Sequence, residues 1–161
     1  MSKGERRAMA TDLAGSGGKI LAGGFSQRLC RRLTECIAAL VALEKIASPI
    51  VPYIAAWREH EKIIWYEYVG ARFLALLGCE RREVDEVFRQ SIVDRRLYRY
   101  ADRESKVEED IVTRAELRGE QASLREEVKK AGAVECVYQL ALPGGKKIWL
   151  KDQANIEVFV E

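Results

Sequence analysis

The chain has 161 residues, of which 48% are hydrophobic and 32% are charged, as is ordinary for a soluble globular protein. Its 27 basic and 25 acidic residues leave a formal net charge of only +2, which argues against a dedicated nucleic-acid-binding protein, because such proteins carry a strong basic surplus. The four cysteines form no Cys-x-x-Cys pair, and the single histidine, His60, has no cysteine near it in the sequence, so we predict no metal site. Without a signal peptide, we expect reduced cysteines in a cytoplasmic protein.

The first predicted element is an amphipathic helix over residues 25–48, which follows a flexible tail over 1–24 that is rich in glycine, serine and charge. Ser26 is the expected N-cap. Apolar residues recur along this helix at alternating spacings of four and three, as in a coiled-coil seam: Leu29, Leu33, Cys36, Leu40 and Leu43. Because Ile37 and Val41 widen the stripe, two interpretations stay open, a dimerisation helix and a single helix that packs on its own domain.

A membrane-spanning interpretation of the apolar stretch Cys36–Trp57 is disfavoured. Glu44 and Lys45 lie near its middle, and each charge at a bilayer centre costs about 3 kcal/mol on insertion scales. Pro49 and Pro52 interrupt the stretch as well. We therefore predict no membrane span.

Two β-strands are predicted next, over Ile50–Trp57 and Lys62–Gly70, because both runs are rich in aromatic and β-branched residues. Two short helices follow, over Ala71–Cys79, with Gly78 as the C-cap, and over Glu80–Phe88. Residues 91–131 contain few large apolar side chains and many charges, which favours one or two exposed helices that stop at Gly132.

The last predicted element is a β-hairpin over Val134–Val160, with apolar and polar residues alternating on both sides of a Pro143–Gly145 turn. Asp152 interrupts the apolar face, so we expect a bulge, a rim position or a polar group that points inward. The order of the elements predicts an α+β fold with an antiparallel sheet and helices on one face, preceded by the N-terminal amphipathic helix.

Two segments of the sequence resemble the PAS domain family of bacterial sensory modules. They are "IIWYEYVGARFLALLGCERREV" and "LREEVKKAGAVECVYQLALPGGKKIWLKDQANIEVF". The resemblance implies a sensor domain over 49–161 that lacks the family's last strand and holds a ligand between its sheet and its helices. Weak candidates for pocket-facing residues are aromatic: Tyr66, Phe73, Phe88, Tyr138 and Trp149.

The cofactor stays unknown. Residues 71–132 contain no histidine for a haem, and Cys79 lies in "LLGCERR" rather than in a photoactive flavin motif. Both cofactors are therefore disfavoured by the resemblance.

We expect a sensory, signal-transduction input domain that binds a small molecule or a partner. It would act as a homodimer through the N-terminal helix, in a bacterial sensor whose effector, such as the histidine kinase of a two-component system, lies beyond this chain. The alternative is a ligand-free protein–protein interaction module. We do not expect an enzyme, because the sequence offers no Ser-His-Asp or Cys-His arrangement.

Overall fold

The computed structural model describes residues 18–59, 61, 63–101, 106–113 and 133–161, and within these it leaves the side chains of 97–101, 106–113 and 133–135 undescribed. The chain divides into two compact units, one that ends at Val87 and includes Glu161, and one over Phe88–Val160. Within the described ranges, no helix is long and apolar enough to cross a membrane.

The first unit combines helices with a two-stranded antiparallel sheet. Tyr53 pairs with Val69 at one end of this sheet and Trp57 pairs with Ile64 at the other. The helix Val84–Ser91 begins in the first unit and ends in the second. The elements are α1 (Lys19–Ala22), α2 (Gln27–Glu44), β1 (Tyr53–Trp57), β2 (Ile64–Val69), α3 (Ala71–Leu77), a 3₁₀ turn (Arg81–Glu83) and α4 (Val84–Ser91).

Local chemistry explains where two of these helices begin and end. The Ser26 hydroxyl accepts a hydrogen bond from the Leu29 amide at 3.3 Å, which confirms the predicted N-cap of α2. The Ser26 amide and hydroxyl in turn donate to the Glu161 carboxylate at 2.6 and 2.5 Å. Gly78 ends α3 with a φ of 66°, which confirms the predicted C-cap, because this left-handed conformation favours glycine.

The apolar stripe of α2 packs on the first unit's own core. Leu33, Ile37, Ile20 and Tyr68 form a buried cluster there. The structure therefore shows the docked single helix, one of the two interpretations left open by the sequence. Lys19–Ala22, which the sequence analysis placed in the flexible tail, form a helical turn that contributes Ile20 to this cluster.

The second unit is built on an antiparallel sheet. Among the described residues, the strand Ile92–Ala101 lies between Lys106–Thr113 and Ala133–Ala141, and Lys147–Asn155 lies on the other side of Ala133–Ala141. The predicted hairpin turn is confirmed, since Pro143–Gly145 form a 3₁₀ turn and both of its glycines have a φ of 81°. The core lies at Cys136, Tyr138 and Leu140. The strands are β3 (Ile92–Ala101), β4 (Lys106–Thr113), β5 (Ala133–Ala141) and β6 (Lys147–Asn155).

The predicted helices over 91–131 are wrong wherever the structure describes this segment. Ile92–Ala101 and Lys106–Thr113 pair with each other as antiparallel strands, and Ile92–Leu97 pair with β5 as well. The charges in these runs suggested exposed helices, but β-strand formation depends on neighbouring strands that lie far away in the sequence. The rest of that prediction, including the stop at Gly132, lies outside the described residues.

The predicted strand ends differ from the observed ones in smaller ways. β6 ends at Asn155 rather than at Val160, and Val158 and Val160 are exposed. β1 begins at Tyr53, just after Pro52, which has no amide hydrogen to donate to a sheet. The α+β class and the antiparallel pairing are confirmed. The single predicted sheet is wrong, since the described strands form two separate sheets, and the PAS-like arrangement stays a prediction.

Candidate functional site

Three side chains connect the end of α2 to β2 and α3, and we call them the α2 joint: Glu44, Tyr68 and Arg72. Glu44 is the last residue of α2. Its Oε2 accepts a hydrogen bond from the Tyr68 hydroxyl of β2 at 2.9 Å, and its Oε1 accepts one from the Arg72 amide in the first turn of α3 at 3.2 Å. A single carboxylate therefore links three elements.

The Arg72 side chain of α3 donates hydrogen bonds to backbone carbonyls at and after the end of α2. Its Nη1 donates to the carbonyls of Ser48, at 2.5 Å, and Ile50, at 3.4 Å, and its Nη2 donates to those of Glu44 and Ile46. The last carbonyls of a helix lack partners within the helix and carry partial negative charge. The guanidinium therefore satisfies the last carbonyl of α2, that of Glu44, and three carbonyls of the segment that follows the helix.

The pKa shifts of Glu44 and Tyr68 favour the protonation states that the hydrogen bond between them requires. Burial alone would raise the pKa of Glu44, but hydrogen bonds from the Arg72 amide, the Tyr68 hydroxyl and the Ala71 amide, together with the Arg72 charge, lower it. Burial, followed by the hydrogen bond to Glu44, raises the pKa of Tyr68 to about 12. At neutral pH the carboxylate is therefore ionised and the phenol keeps the proton that it donates.

The joint also requires a glycine between β2 and α3. A Cβ atom placed on Gly70 would lie 2.4 Å from Glu44 Oε1 and 3.0 Å from Pro52 Cγ. A side chain at this position would push the Glu44 carboxylate away from its donors. Gly70 thus permits the close approach of α2 to the start of α3.

A second carboxylate, the fully buried Glu67, attaches the residues before α2 to the same strand. Its Oε1 accepts hydrogen bonds from the Lys19 and Ile20 amides at 2.9 and 3.0 Å, and from Trp65 Nε1 at 2.5 Å. A Cβ atom on Gly18 would lie 2.1 Å from the other oxygen, Oε2. β2 therefore holds α1 through Glu67 and the end of α2 through Tyr68.

In the second unit, four polar side chains lie together on one sheet face, and we call them the charged cluster: Arg95, Cys136, Tyr138 and Asp152. Arg95 Nη2 lies 3.9 Å from Cys136 Sγ, to which it donates, and this thiol lies 4.0 Å from Asp152 Oδ2. The Arg95 guanidinium also lies 5.4 Å from the centre of the Tyr138 ring. The Asp152 interruption of the apolar face is thus a polar group that points toward a buried residue.

The chemistry of Cys136 argues against a nucleophile. Its side chain is fully buried, and this burial raises the pKa of the thiol, although hydrogen bonding with Tyr138 and the Arg95 charge act in the opposite direction. A thiol with a raised pKa stays protonated and unreactive at neutral pH. The flanking Arg95 and Asp152 are partly exposed and are the groups that a ligand could reach.

The five aromatic residues predicted to face a pocket do not form one set. Tyr66 and Phe73 lie in the first unit, where Tyr53 contacts both rings at centroid distances of 5.8 and 6.2 Å. Phe88 and Tyr138 pack edge to face in the second unit, with their centroids 5.6 Å apart.

Trp149 lies apart from the Phe88–Tyr138 pair. It is opposite Gln139 in the strand register, next to the pair formed by Tyr138 and Leu150, so its side chain projects from the other face of the sheet. There it is 48% exposed, with the Arg96 guanidinium 4.7 Å from its ring centre. Trp149 therefore shares no site with Tyr138.

Some of the residues of α2 that were predicted to form a dimer contact pack instead in the core of the first unit. Leu33 is only 5% exposed, and Leu29 and Leu40 pack against the same cluster. Cys36 and Leu43 are partly exposed. Of the five predicted dimer residues, only Leu33 is therefore buried in this docked position, and the other four are partly exposed.

Sequence reasoning missed the residues of the α2 joint and most of the charged cluster. Glu44 entered only as a charge that disfavours membrane insertion, and the sequence analysis singled out neither Arg72 nor Arg95. Asp152 gave a usable signal, because it breaks an otherwise apolar strand face. Among the described residues, no group of three histidine, cysteine or acidic side chains could hold a metal ion.

Comparisons of the chain with protein-family models, with curated proteins and with solved structures found no match. A functional argument for this chain therefore depends on its own geometry and chemistry.

Proposed function

We propose that this chain is a sensory, signal-transduction input domain of a cytoplasmic bacterial sensor protein. It binds a small molecule or a partner and couples that binding to a rearrangement of α2 in a dimer. The observation that carries the proposal is the α2 joint, because it bonds the end of one helix to both β2 and α3. The resemblance of 63–84 and 124–159 to PAS sensory modules supports the same function.

The mechanism follows from the bonds that α3 makes. A ligand or partner that shifts α3 moves Arg72, and with it the guanidinium that satisfies four carbonyls from Glu44 to Ile50. The Glu44 carboxylate then loses its Arg72 amide donor. A ligand that binds the two positions of α3 with different affinity shifts the population of α2 conformations accordingly. The effector that reads α2, such as a histidine kinase, would belong to the same sensor protein.

A ligand-free interaction module is the second candidate function. It is favoured by Phe73, a predicted pocket residue that is only 1% exposed and fills the core of the first unit. Mass spectrometry of the denatured protein separates the two candidates. A small molecule that co-purifies in stoichiometric amount supports the sensor, and its absence favours the interaction module.

Hydrogen exchange tests the coupling itself. The Lys45 and Ile46 amides donate to Ala42 and Leu43 in the last turn of α2. Phe73→Leu leaves space under α3, which should weaken the hydrogen bonds of the α2 joint. The Lys45 and Ile46 amides should then exchange faster relative to amides in the middle of α2.

The Arg72→Met background provides the control, since it removes the guanidinium that connects α3 to the end of α2. There, Phe73→Leu should no longer accelerate the exchange of Lys45 and Ile46. An equal acceleration in both backgrounds would show that the Arg72 guanidinium does not transmit the change from α3 to the end of α2.

A further inference from the structure

The helical turn α1 contacts both α2 and β2, at a distance from the α2 joint. Its Ile20 is 6% exposed and lies in one buried cluster with Leu33 of α2. The Ile20 carbonyl accepts a hydrogen bond from the Cys30 thiol of α2 at 3.7 Å, and the Lys19 and Ile20 amides donate to Glu67 of β2 at 2.9 and 3.0 Å. α1 therefore connects the earlier part of α2 to β2, whereas the α2 joint connects the end of this helix.

These contacts, rather than hydrogen bonds within α1, hold the turn in place. A helix of four residues is too short to be stable alone, because its nucleation costs more free energy than so few hydrogen bonds return. The closed position of α1, in which it lies against β2, therefore depends on the Glu67 carboxylate and on the burial of Ile20.

The closed position of α1 buries the Glu67 carboxylate completely. Its Oε2 is buried and has no hydrogen-bond partner among the described residues. A Cβ atom on Gly18 would overlap with this oxygen, so the backbone directly before α1 covers it. A buried carboxylate oxygen without a donor costs free energy, and water would reach it if α1 moved away from β2. The free energy needed to open α1 is therefore smaller than its packing contacts alone would require.

Two glycines between α1 and α2 allow the turn to pivot. Gly23 and Gly24 have φ values of 125° and 90°, and a Cβ atom on either would meet no described atom within 4 Å. Glycine adopts such conformations without strain and has more backbone freedom than any other residue. The backbone can therefore change direction at this point without disturbing a packed side chain.

We propose that α1 is a strap that opens from β2 about Gly23 and Gly24 while the rest of the first unit stays folded. Closure of this strap stabilises α2 in its docked position, and opening loosens it. The proposal adds a regulation of α2 that is separate from the α2 joint, and its use in signalling rests on the proposed sensory function.

Native-state hydrogen exchange of the full chain tests the opening. Three amides report on α1, since those of Lys19 and Ile20 donate to Glu67 and that of Gly23 donates to the Ile20 carbonyl at 3.3 Å. They should share one degree of protection, about 100-fold lower than that of the Ile37 amide in the middle of α2, as expected for a segment that opens locally. If these three amides are protected as strongly as Ile37, α1 opens only when the whole unit unfolds, and the proposal is overturned.

A pair of matched variants tests the pivot. Gly24→Ala strains the closed position, because alanine disfavours a φ of 90°, and it should accelerate exchange of the three amides about fivefold. Gly144→Ala places an alanine at a φ of 81° in the hairpin turn of the second unit and should leave their exchange unchanged. Equal effects of the two variants would overturn the pivot at Gly23 and Gly24.

A second pair tests the effect on α2. Ile20→Asp places a charge in the buried cluster and keeps α1 open, so the Leu33 amide should exchange about tenfold faster. The control is Ala22→Asp at an exposed position of the same turn, which should leave Leu33 unchanged. Ile20→Ala removes most of the buried side chain without adding a charge, and it should accelerate Leu33 to a smaller extent even where Ile20→Asp fails to fold. Unchanged exchange of Leu33 in both variants of Ile20 would overturn the proposal.

The two hydrogen-exchange tests fail independently. The test of the α2 joint reads the Lys45 and Ile46 amides and depends on Arg72, whereas the strap is read at α1 and at Leu33. A failure of the strap therefore leaves the result for the joint standing, and the two failures are distinguishable.

Discussion

Replacing Arg72 with methionine keeps most of the length of the side chain and removes the guanidinium. Four hydrogen bonds are lost, one to the last carbonyl of α2 and three to carbonyls that follow the helix, and of these the two to Glu44 and Ser48 are partly buried. A hydrogen bond from a charged donor contributes about 1.5 to 3 kcal/mol, and the more exposed bonds to Ile46 and Ile50 contribute little. We therefore expect Arg72→Met to lower the free energy of unfolding by about 3 kcal/mol.

Urea denaturation followed by circular dichroism measures this change, with Arg82→Met as the matched control. The Arg82 side chain is 78% exposed, and among the residues that the structure describes its ion-pair partner is Glu80, at 3.0 Å. Its replacement should change the free energy of unfolding by less than about 0.5 kcal/mol, as is usual for surface ion pairs. If the two variants lose the same stability, the guanidinium does not hold the end of α2 and the reasoning is refuted.

Three further predictions concern pH dependence and helix ends. The pKa of Glu44 is lowered by folding, so this carboxylate contributes stability that is present above its ordinary pKa of 4.5 and is lost as the pH falls through the lower folded value. Urea titrations should therefore show a smaller acid-induced loss for Glu44→Gln than for the wild type, and an equal loss would contradict the assignment. Ser26→Ala removes the N-cap of α2 and should cost about 1 kcal/mol. In the same variant the pKa of Glu161, which its bonds to Ser26 lower, should rise in an NMR titration, and an unchanged pKa would show that these bonds are absent in solution. Gly78→Ala places a side chain at a φ of 66° and should cost about 1 kcal/mol, whereas a neutral result would argue against the left-handed C-cap.

Local sequence signals predicted the parts of the fold that depend on neighbouring residues. The N-cap at Ser26, the C-cap at Gly78 and the turn at Pro143–Gly145 each depend on the conformation of a few consecutive residues. The last hairpin could also be predicted from the sequence, because a period of two along adjacent strands identifies both strands and their shared face.

Long-range pairing explains what the sequence did not reveal. Arg95 pairs with Tyr138 across β3 and β5, and a charged run such as Ile92–Ala101 becomes a strand only when such a partner is present. The α2 joint also depends on contacts between residues far apart in the sequence, because Arg72 contacts carbonyls more than twenty residues earlier in the chain. The site prediction from the sequence was based on aromatic side chains, whereas charged residues make the main contacts of the observed clusters.

We expect the end of α2 to be energetically coupled to β2 through the hydrogen bond between Tyr68 and Glu44. A double-mutant cycle of Tyr68→Phe and Glu44→Ala, measured by urea denaturation at neutral pH, isolates this term. We predict a favourable coupling free energy of about 1 kcal/mol or more, as expected for a hydrogen bond to an ionised acceptor. A coupling below about 0.3 kcal/mol would contradict the claim that these two elements move together.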